Sequence, residues 1–244
     1  MTGAAVAWLA AATVDAAVAD LRPDYRALLL TADGLRGGPS DGISERILAE
    51  AEDTARRLLD GQAPEQLPHL AAWRQAYREF GAKPQRTRPS VEALLRRLQQ
   101  GGLPRIDRIT DVYNAVSIAH LLPIGGEDRT AYAGPARLVR AEGTEPFDTI
   151  AGGADVLEPP DAGEVVWRDD VGVTCRRWNW RQGTRTRITD DTTSALFILD
   201  ALGPLPDAAL EAAADALTDG LLALSPAAAV HRRLVDRTGG GRPC

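Results

Sequence analysis

The first half of the chain places its hydrophobic residues at helical spacing. Ile43, Ile47, Leu48, Ala51, Ala55, Leu58 and Leu59 make one stripe over residues 43–59, and Gly61 follows as a stop. Leu70, Trp73, Tyr77 and Phe80 share a face of a second helix, which Gly81 ends. Val91, Leu94, Leu95 and Leu98 mark a third; Ser90 is read as its N-cap, Glu92 lies in its first turn, and Gly101-Gly102 ends it. Residues 109–121 differ from these. Ile109, Val112, Tyr113, Val116 and Ala119 form a stripe, yet Ile118 and Leu121 lie among Thr110, Asp111, Asn114 and Ser117 on the other side. A helix that is apolar all round is a buried one. Its polar side chains then need partners, because an unpaired buried polar group costs roughly 1–3 kcal/mol. Asp111 and Asn114 are therefore expected to be buried and hydrogen-bonded beside a pocket.

Beyond residue 128 the pattern shortens to strands separated by turn residues. The candidates are 137–141, 147–150, 164–168 and 171–180, the last two forming a hairpin that turns near Asp169-Asp170, with 184–189 and 194–199 as further strands. Residues 25–30 supply an earlier strand. Residues 206–224 return to helix, with Asp207 as a cap and Leu210, Ala214, Leu217, Leu221 and Leu224 as the stripe. Helices first, then strands, then a helix imply an α+β fold with a mixed β-sheet flanked by helices. The expected divisions are an N-terminal αβ segment over 1–65 that packs on a core over 66–205, a C-terminal helical segment over 206–238, and a disordered tail over 239–244.

Composition narrows the picture. The chain has 244 residues, 44% of them apolar and 25% charged, the profile of a soluble globular protein able to bury a sizeable core. Its net charge of −6 argues against a broad nucleic-acid-binding surface but allows a grip on the end of an RNA. All but one of the 28 basic residues, Lys83, are arginine, so only local clusters of arginine are informative. Cys175 and Cys244 give neither a disulfide framework nor a zinc spacing, and His69, His120 and His231 are far apart; no metal or cofactor is implied. The apolar N-terminal run is too short to span a bilayer and has no basic residue before it, which is the expectation for a cytoplasmic protein without membrane attachment.

Candidate chemistry falls in two stretches. If residues 171–180 form one strand, Arg176, Trp178 and Trp180 share a face and Cys175, Arg177 and Asn179 share the other, with Arg181 close behind. Arginine beside tryptophan can stack on a base or hold a phosphate; equally, the arginines can cover aromatic rings and pair with Asp169, Asp170 or Glu164. Glu164 can read a ligand ammonium or orient a water, or be a strand-end carboxylate. Asp111, Asn114 and Ser117 make the other polar set, either lining a site or pinning a buried helix. Gly125-Gly126 and Gly152-Gly153 read as turn glycines outside any phosphate-loop pattern, and no Gly-x-Ser-x-Gly elbow occurs.

Four motifs in order carry a resemblance: Arg88-Pro89-Ser90-x-Glu92-Ala93-Leu94, Asp111-x-Tyr113-Asn114-x-x-Ser117 with Leu122-Pro123-x-Gly125, Gly163-Glu164-Val165-Val166, and Cys175-Arg176-Arg177-Trp178-Asn179-Trp180. From about Trp73 to Leu202 the chain resembles the B3/B4 domain family. That domain is the amino-acid editing domain in the β subunit of bacterial phenylalanyl-tRNA synthetase, and it also occurs in free-standing proteins. The resemblance implies a trans-acting factor that hydrolyses the ester of a mischarged aminoacyl-tRNA, with the tRNA 3′ end and an amino acid as partners. On this reading Asn114, Asp111 and Glu164 are catalytic, and Ser117, Gly125, Arg176, Arg177, Asn179 and Arg181 bind substrate. The alternatives are a non-catalytic module for the tRNA 3′ end or an amino acid, and a small-molecule enzyme on the same fold. Two departures bear on the choice. Gly125 stands where the synthetase domain has a histidine, and Arg181-Gln182 falls near its Gly-Gly-Glu. The active region is expected between helix 109–121 and strand 171–180.

Overall fold

The computed structural model describes residues 2–237. The glycine tail and Cys244 lie outside the described residues. The fold is α+β, with mixed sheets and flanking helices. A four-stranded sheet has the order β11-β2-β10-β3, from Ala229–Asp236 (β11), Arg26–Asp33 (β2), Ser194–Ala201 (β10) and Ile124–Asp128 (β3), all antiparallel. It draws strands from the beginning, middle and end of the chain. A five-stranded sheet has the order β1-β4-β7-β8-β9, from Thr13–Val14 (β1), Arg137–Arg140 (β4), Val165–Arg168 (β7), Val173–Arg176 (β8) and Arg181–Gln182 (β9). It is mixed because β1 runs parallel to β4. A separate hairpin joins Asp148–Ala151 (β5) to Ala154–Leu157 (β6) through Gly152 and Gly153, both at positive φ.

Helix α6 (Arg108–His120) is the centre of the packing. It is buried from Ile109 to Ile118 and lies against α3 (Gly42–Leu59), α5 (Ser90–Gln99), α7 (Asp207–Leu224) and β3. The remaining helices are α1 (Thr2–Ala10), α2 (Ala16–Leu21) and α4 (Pro68–Glu79). Trp73 and Tyr77 of α4 belong to the core on the far side of the four-stranded sheet, where Trp73 meets Trp178 edge-on with ring centroids 5.3 Å apart. Among the described residues no helix is long and apolar enough to cross a membrane.

Several local expectations are corrected. Gly125 and Gly126 are strand residues of β3, paired with Ile198 and Phe197 of β10. Their value is close approach: a Cβ on Gly126 would lie 2.7 Å from the Tyr113 ring, and one on Gly125 would lie 3.0 Å from Gln182 Nε2. Gly126→Ala should lower stability by about 1–3 kcal/mol in a denaturant titration, because both the Tyr113 ring and the Ile188 side chain must shift to admit the methyl group. Ser90 is the first residue of α5, not its cap, and its hydroxyl is buried without a partner. The strand expected over 171–180 ends at Arg176. Arg177 and Trp178 take positive φ (48° and 68°), so the alternation of faces stops there and Trp178 turns into the core. Residues 184–189 form an irregular link with one bridge, Glu127 to Arg187. Strand β11 has no counterpart in the sequence reading.

Candidate functional site

The two sheets meet edge to edge. Gln182 of β9 donates from Nε2 to the Gly126 carbonyl of β3 at 2.8 Å, and Asp128 N donates to Thr186 O at 2.7 Å. Beside this seam, under α5 and α6, lies a cavity of about 330 Å³. Its walls are mainly apolar and aromatic: Tyr113, Trp167, Trp178, Trp180, Ile124 and Ile198, with Ala93 and Leu94 of α5. A few polar groups interrupt them, the usual composition of a small-molecule site.

Two of those polar groups are buried carboxyls. Glu127 is 1% exposed; its Oε2 accepts from the Tyr132 hydroxyl, and its Oε1 has no partner among the described residues. Burial pushes its pKa up to about 7, against the downward pull of the Tyr132, Thr174 and Thr186 hydroxyls. Asp200 is also pushed up to about 7 by burial, opposed by hydrogen bonds from Tyr25 and Asn179. The Tyr25 hydroxyl donates to Oδ1 at 2.6 Å and Asn179 Nδ2 donates to Oδ2 at 3.2 Å, so both oxygens are engaged. Burial first, then the charges of Glu127 and Asp200, raise the Cys175 thiol well above its ordinary value, which makes it a poor nucleophile.

Polar atoms without partners gather here. Contrary to the expectation that it is hydrogen-bonded, the side-chain amide of Asn114 makes no hydrogen bond among the described residues; the residue is 9% exposed and belongs to the cavity wall. Ser90 Oγ, Glu127 Oε1, Trp167 Nε1 and Trp178 Nε1 are buried and unpartnered as well, and all belong to residues on the wall. Each such atom is costly unless something meets it. Arg97 and Arg181 also belong to the wall, and neither forms an ion pair among the described residues; Arg181 donates to the Ile150 carbonyl at 3.1 Å.

The residues singled out from sequence divide into two groups. Asn114, Gly125, Asn179 and Arg181 line the cavity. Asn179 is fixed at both ends of its amide, accepting from the Tyr77 hydroxyl at 2.9 Å and donating to Asp200, so it pins the turn that carries Trp178 and Trp180. The others lie elsewhere, each for a local reason. Asp111 accepts from Ser44 Oγ at 3.2 Å and Ile106 N at 3.0 Å, tying α6 to α3 and to the preceding loop. Ser117 Oγ donates to Leu122 O at 2.7 Å and closes the end of α6. Glu164 is 2% exposed and is gripped by Arg176 at 2.9 and 2.8 Å, by Arg177 Nε at 3.2 Å and by Arg177 N at 3.1 Å. Arg176 also reaches Glu158 at 3.5 Å and Arg177 reaches Asp161 at 3.4 Å, so both are paired, and with Arg181 they crowd the Trp180 ring, Arg177 being 4.6 Å from its centroid. This is the alternative in which the arginines pair with Glu164 and cover aromatic rings.

Sequence reasoning missed Glu127 and Asp200. The signal for Asp200 was present: a single acid at the end of the apolar run Ala195 to Leu199. Glu127 sat behind two glycines that looked like a turn. Among the described residues no cluster of His, Cys, Asp and Glu is suited to a metal.

A model of the B3/4 domain matches residues 72–219. Among solved structures the chain is similar to an N-terminal fragment of the phenylalanyl-tRNA synthetase β subunit from Pyrococcus horikoshii, at 14% identity and a TM-score of 0.45, covering 90% of this chain and 49% of that one. The chain therefore spans about half the length of that fragment. No curated protein matches it.

Proposed function

The chain belongs to the B3/4 domain family, and from that premise we propose that it hydrolyses the ester of a mischarged aminoacyl-tRNA in trans, in the cavity beneath α5 and α6. The observation that supports this reading most is the set of unpartnered polar groups in an otherwise apolar cavity, with a carboxyl among them that titrates near neutral pH. Ester hydrolysis needs a positioned water, a base, donors for the oxyanion and a pocket that sorts side chains. Glu127 is the base. Its free Oε1 takes a proton from water as the water oxygen attacks the ester carbonyl. Asn114 donates from its amide to the oxyanion of the tetrahedral intermediate. As that collapses, the bond between the carbonyl carbon and the ribose oxygen breaks, and Glu127 returns the proton to the ribose. The aromatic wall receives the amino-acid side chain, and Arg97 and Arg181 face the terminal phosphates. Asp200 acts through Asn179 as a positioning residue. No protein nucleophile is required.

Single-turnover deacylation over a panel of mischarged tRNAs tests this. One or a few esters should be cleaved far above the uncatalysed rate. Asn114→Ala should reduce that rate about tenfold or more, equivalent to about 1.4 kcal/mol, with little change in melting temperature, since its amide holds no partner in the fold. A second reading, binding of the aminoacyl end without hydrolysis, is favoured by Gly125. The histidine that the synthetase domain carries there is absent, and the Gln182 amide fills the space into which a side chain would project. A panel in which every ester survives while binding is retained decides for that reading.

A further inference from the structure

Arg176 and Arg177 are spent on Glu164 and Trp180, so they do not provide a path for an RNA backbone leading away from the cavity. A different set does. Beside the cavity lies a second depression, bounded by Arg88, Ala93, Arg96, Arg97, Gln100 and Gly102. Ala93 and Arg97 belong to both walls, so the two spaces are contiguous along one face of α5. Among the described residues this wall carries three arginines and no carboxylate. The acid beneath it is Glu92, which is fully buried and shared by Arg74 at 2.7 Å, Arg96 at 2.9 Å and Arg88 at 3.6 Å. Glu65 adds one further negative charge, on Arg96 at 2.6 Å. Three guanidiniums around one buried carboxylate leave surplus positive charge, and Arg97, exposed and unpaired, adds to it. In a chain of net charge −6 this is a local exception.

We propose that this face of α5 binds the phosphodiester backbone of a single-stranded RNA 3′ tail, with Arg97 at the junction where the tail enters the cavity and Arg88 and Arg96 along its path. The proposal deepens the deacylase reading and rests on it for the identity of the occupant. The chemistry fits: guanidiniums held in place by a buried carboxylate present their remaining N–H donors outward at little entropic cost, and phosphate oxygens suit such forks. A single strand, unlike a duplex, can bend from a surface groove into a cavity.

The test uses the intact chain and a fluorescein-labelled, uncharged tRNA acceptor hairpin with its single-stranded 3′ tail, read by fluorescence anisotropy over a salt series, with the tailless hairpin as control. The probe carries no ester, so its binding is independent of hydrolysis. The tailed hairpin should bind and the tailless one should bind at least tenfold more weakly. The Arg88→Gln/Arg97→Gln double variant should weaken the tailed complex about tenfold and reduce the salt slope by roughly 1.4, since each contact to a single strand contributes about 0.7. Folding is protected, because Glu92 keeps Arg74 and Arg96 and Arg97 has no partner to lose; an unchanged thermal melt confirms it. Equal binding of both hairpins, an unchanged affinity and slope in the double variant, or no binding by the wild type each overturns the proposal. Arginine-dependent binding of the tail by a protein that cleaves no ester leaves the path standing and removes the hydrolytic reading. Cleavage of charged tRNA that is indifferent to both arginines does the reverse.

Discussion

Glu127→Gln is expected to lower single-turnover deacylation by about 100-fold or more and to abolish its pH dependence across neutrality. A positioned general base contributes on the order of 10²–10⁴ in rate, and glutamine keeps the shape while removing the basicity. With a pKa near 7, the wild-type rate should rise as pH increases through about 7 and level off above it, because only the ionised carboxylate accepts the proton. The variant should be flat. An independent sign comes from stability. Burial raises the folded-state pKa of Glu127 from 4.5 to about 7, so its contribution to stability is fully present below 4.5 and is lost as pH rises through 7. Above that, folding must bury a charge, at a cost on the order of 3 kcal/mol. The melting temperature of Glu127→Gln relative to wild type should therefore climb between pH 5 and pH 8. His69, whose pKa is pushed down from 6.5 to about 4 by burial, contributes with the opposite sign between those two values, but it is common to both proteins and cancels in the difference. A variant that keeps the wild-type rate and pH profile would remove Glu127 from the chemistry.

Much of the fold was legible because it is written in local periodicity. The stripe of α7 buries every residue that its spacing selects, those of α4 and α5 bury most of theirs, and α3 buries Leu48, Ala51, Ala55 and Leu59 while Ile43 and Leu58 at its ends stay exposed; α6 is buried all round as its mixed faces require. The motifs that carry the family resemblance also lie within the matched span. What was not legible depends on contacts distant in sequence or on backbone conformations that sequence does not announce. Strand β11 (Ala-Val-His-Arg-Arg-Leu-Val-Asp) shows no alternation of apolar and polar residues and gains its place only by pairing with β2, some two hundred residues earlier in the chain. The turn at Arg177-Trp178 uses positive φ at two residues that are not glycine, so a strand drawn through it assigns every later side chain to the wrong face.

The candidate site was legible only in part, for the same reason. Asn114 was recoverable as a polar residue on a buried helix. Asp111 and Ser117 share that pattern, yet their partners are Ser44, Ile106 and Leu122, and spacing along one helix cannot separate a residue that faces a cavity from one that faces a loop. Asp200 needs Tyr25 and Asn179 beside it, and Glu127 needs Tyr132 and the β9 seam, before either looks like more than a strand residue.

Glu164 separates a structural role from a catalytic one most sharply. Glu164→Ala is expected to destabilise the chain by roughly 3 kcal/mol, since removing one partner of a buried ion pair strands the other. Arg176, with its side chain 7% exposed, would retain only the more distant Glu158 at 3.5 Å. The loss should extend beyond the pair, because Glu164 also accepts from the backbone N of Arg177 and thereby holds the positive-φ turn that sets Trp178 and Asn179 against the cavity. For a chain of this length the melting temperature should fall by about 6–12 °C. Salt should do little to mimic the loss, because a buried pair is poorly screened. Glu164→Met combined with Arg176→Met should recover the part of the stability lost to the stranded Arg176 charge, since an apolar pair carries none, while the bonds from Arg177 to Glu164 stay lost. Deacylation measured well below the melting temperature should then remain within a few-fold of wild type in the double variant. The opposite result, an intact melt with a hundredfold loss of rate in Glu164→Gln, would make Glu164 the working carboxylate and Glu127 a bystander.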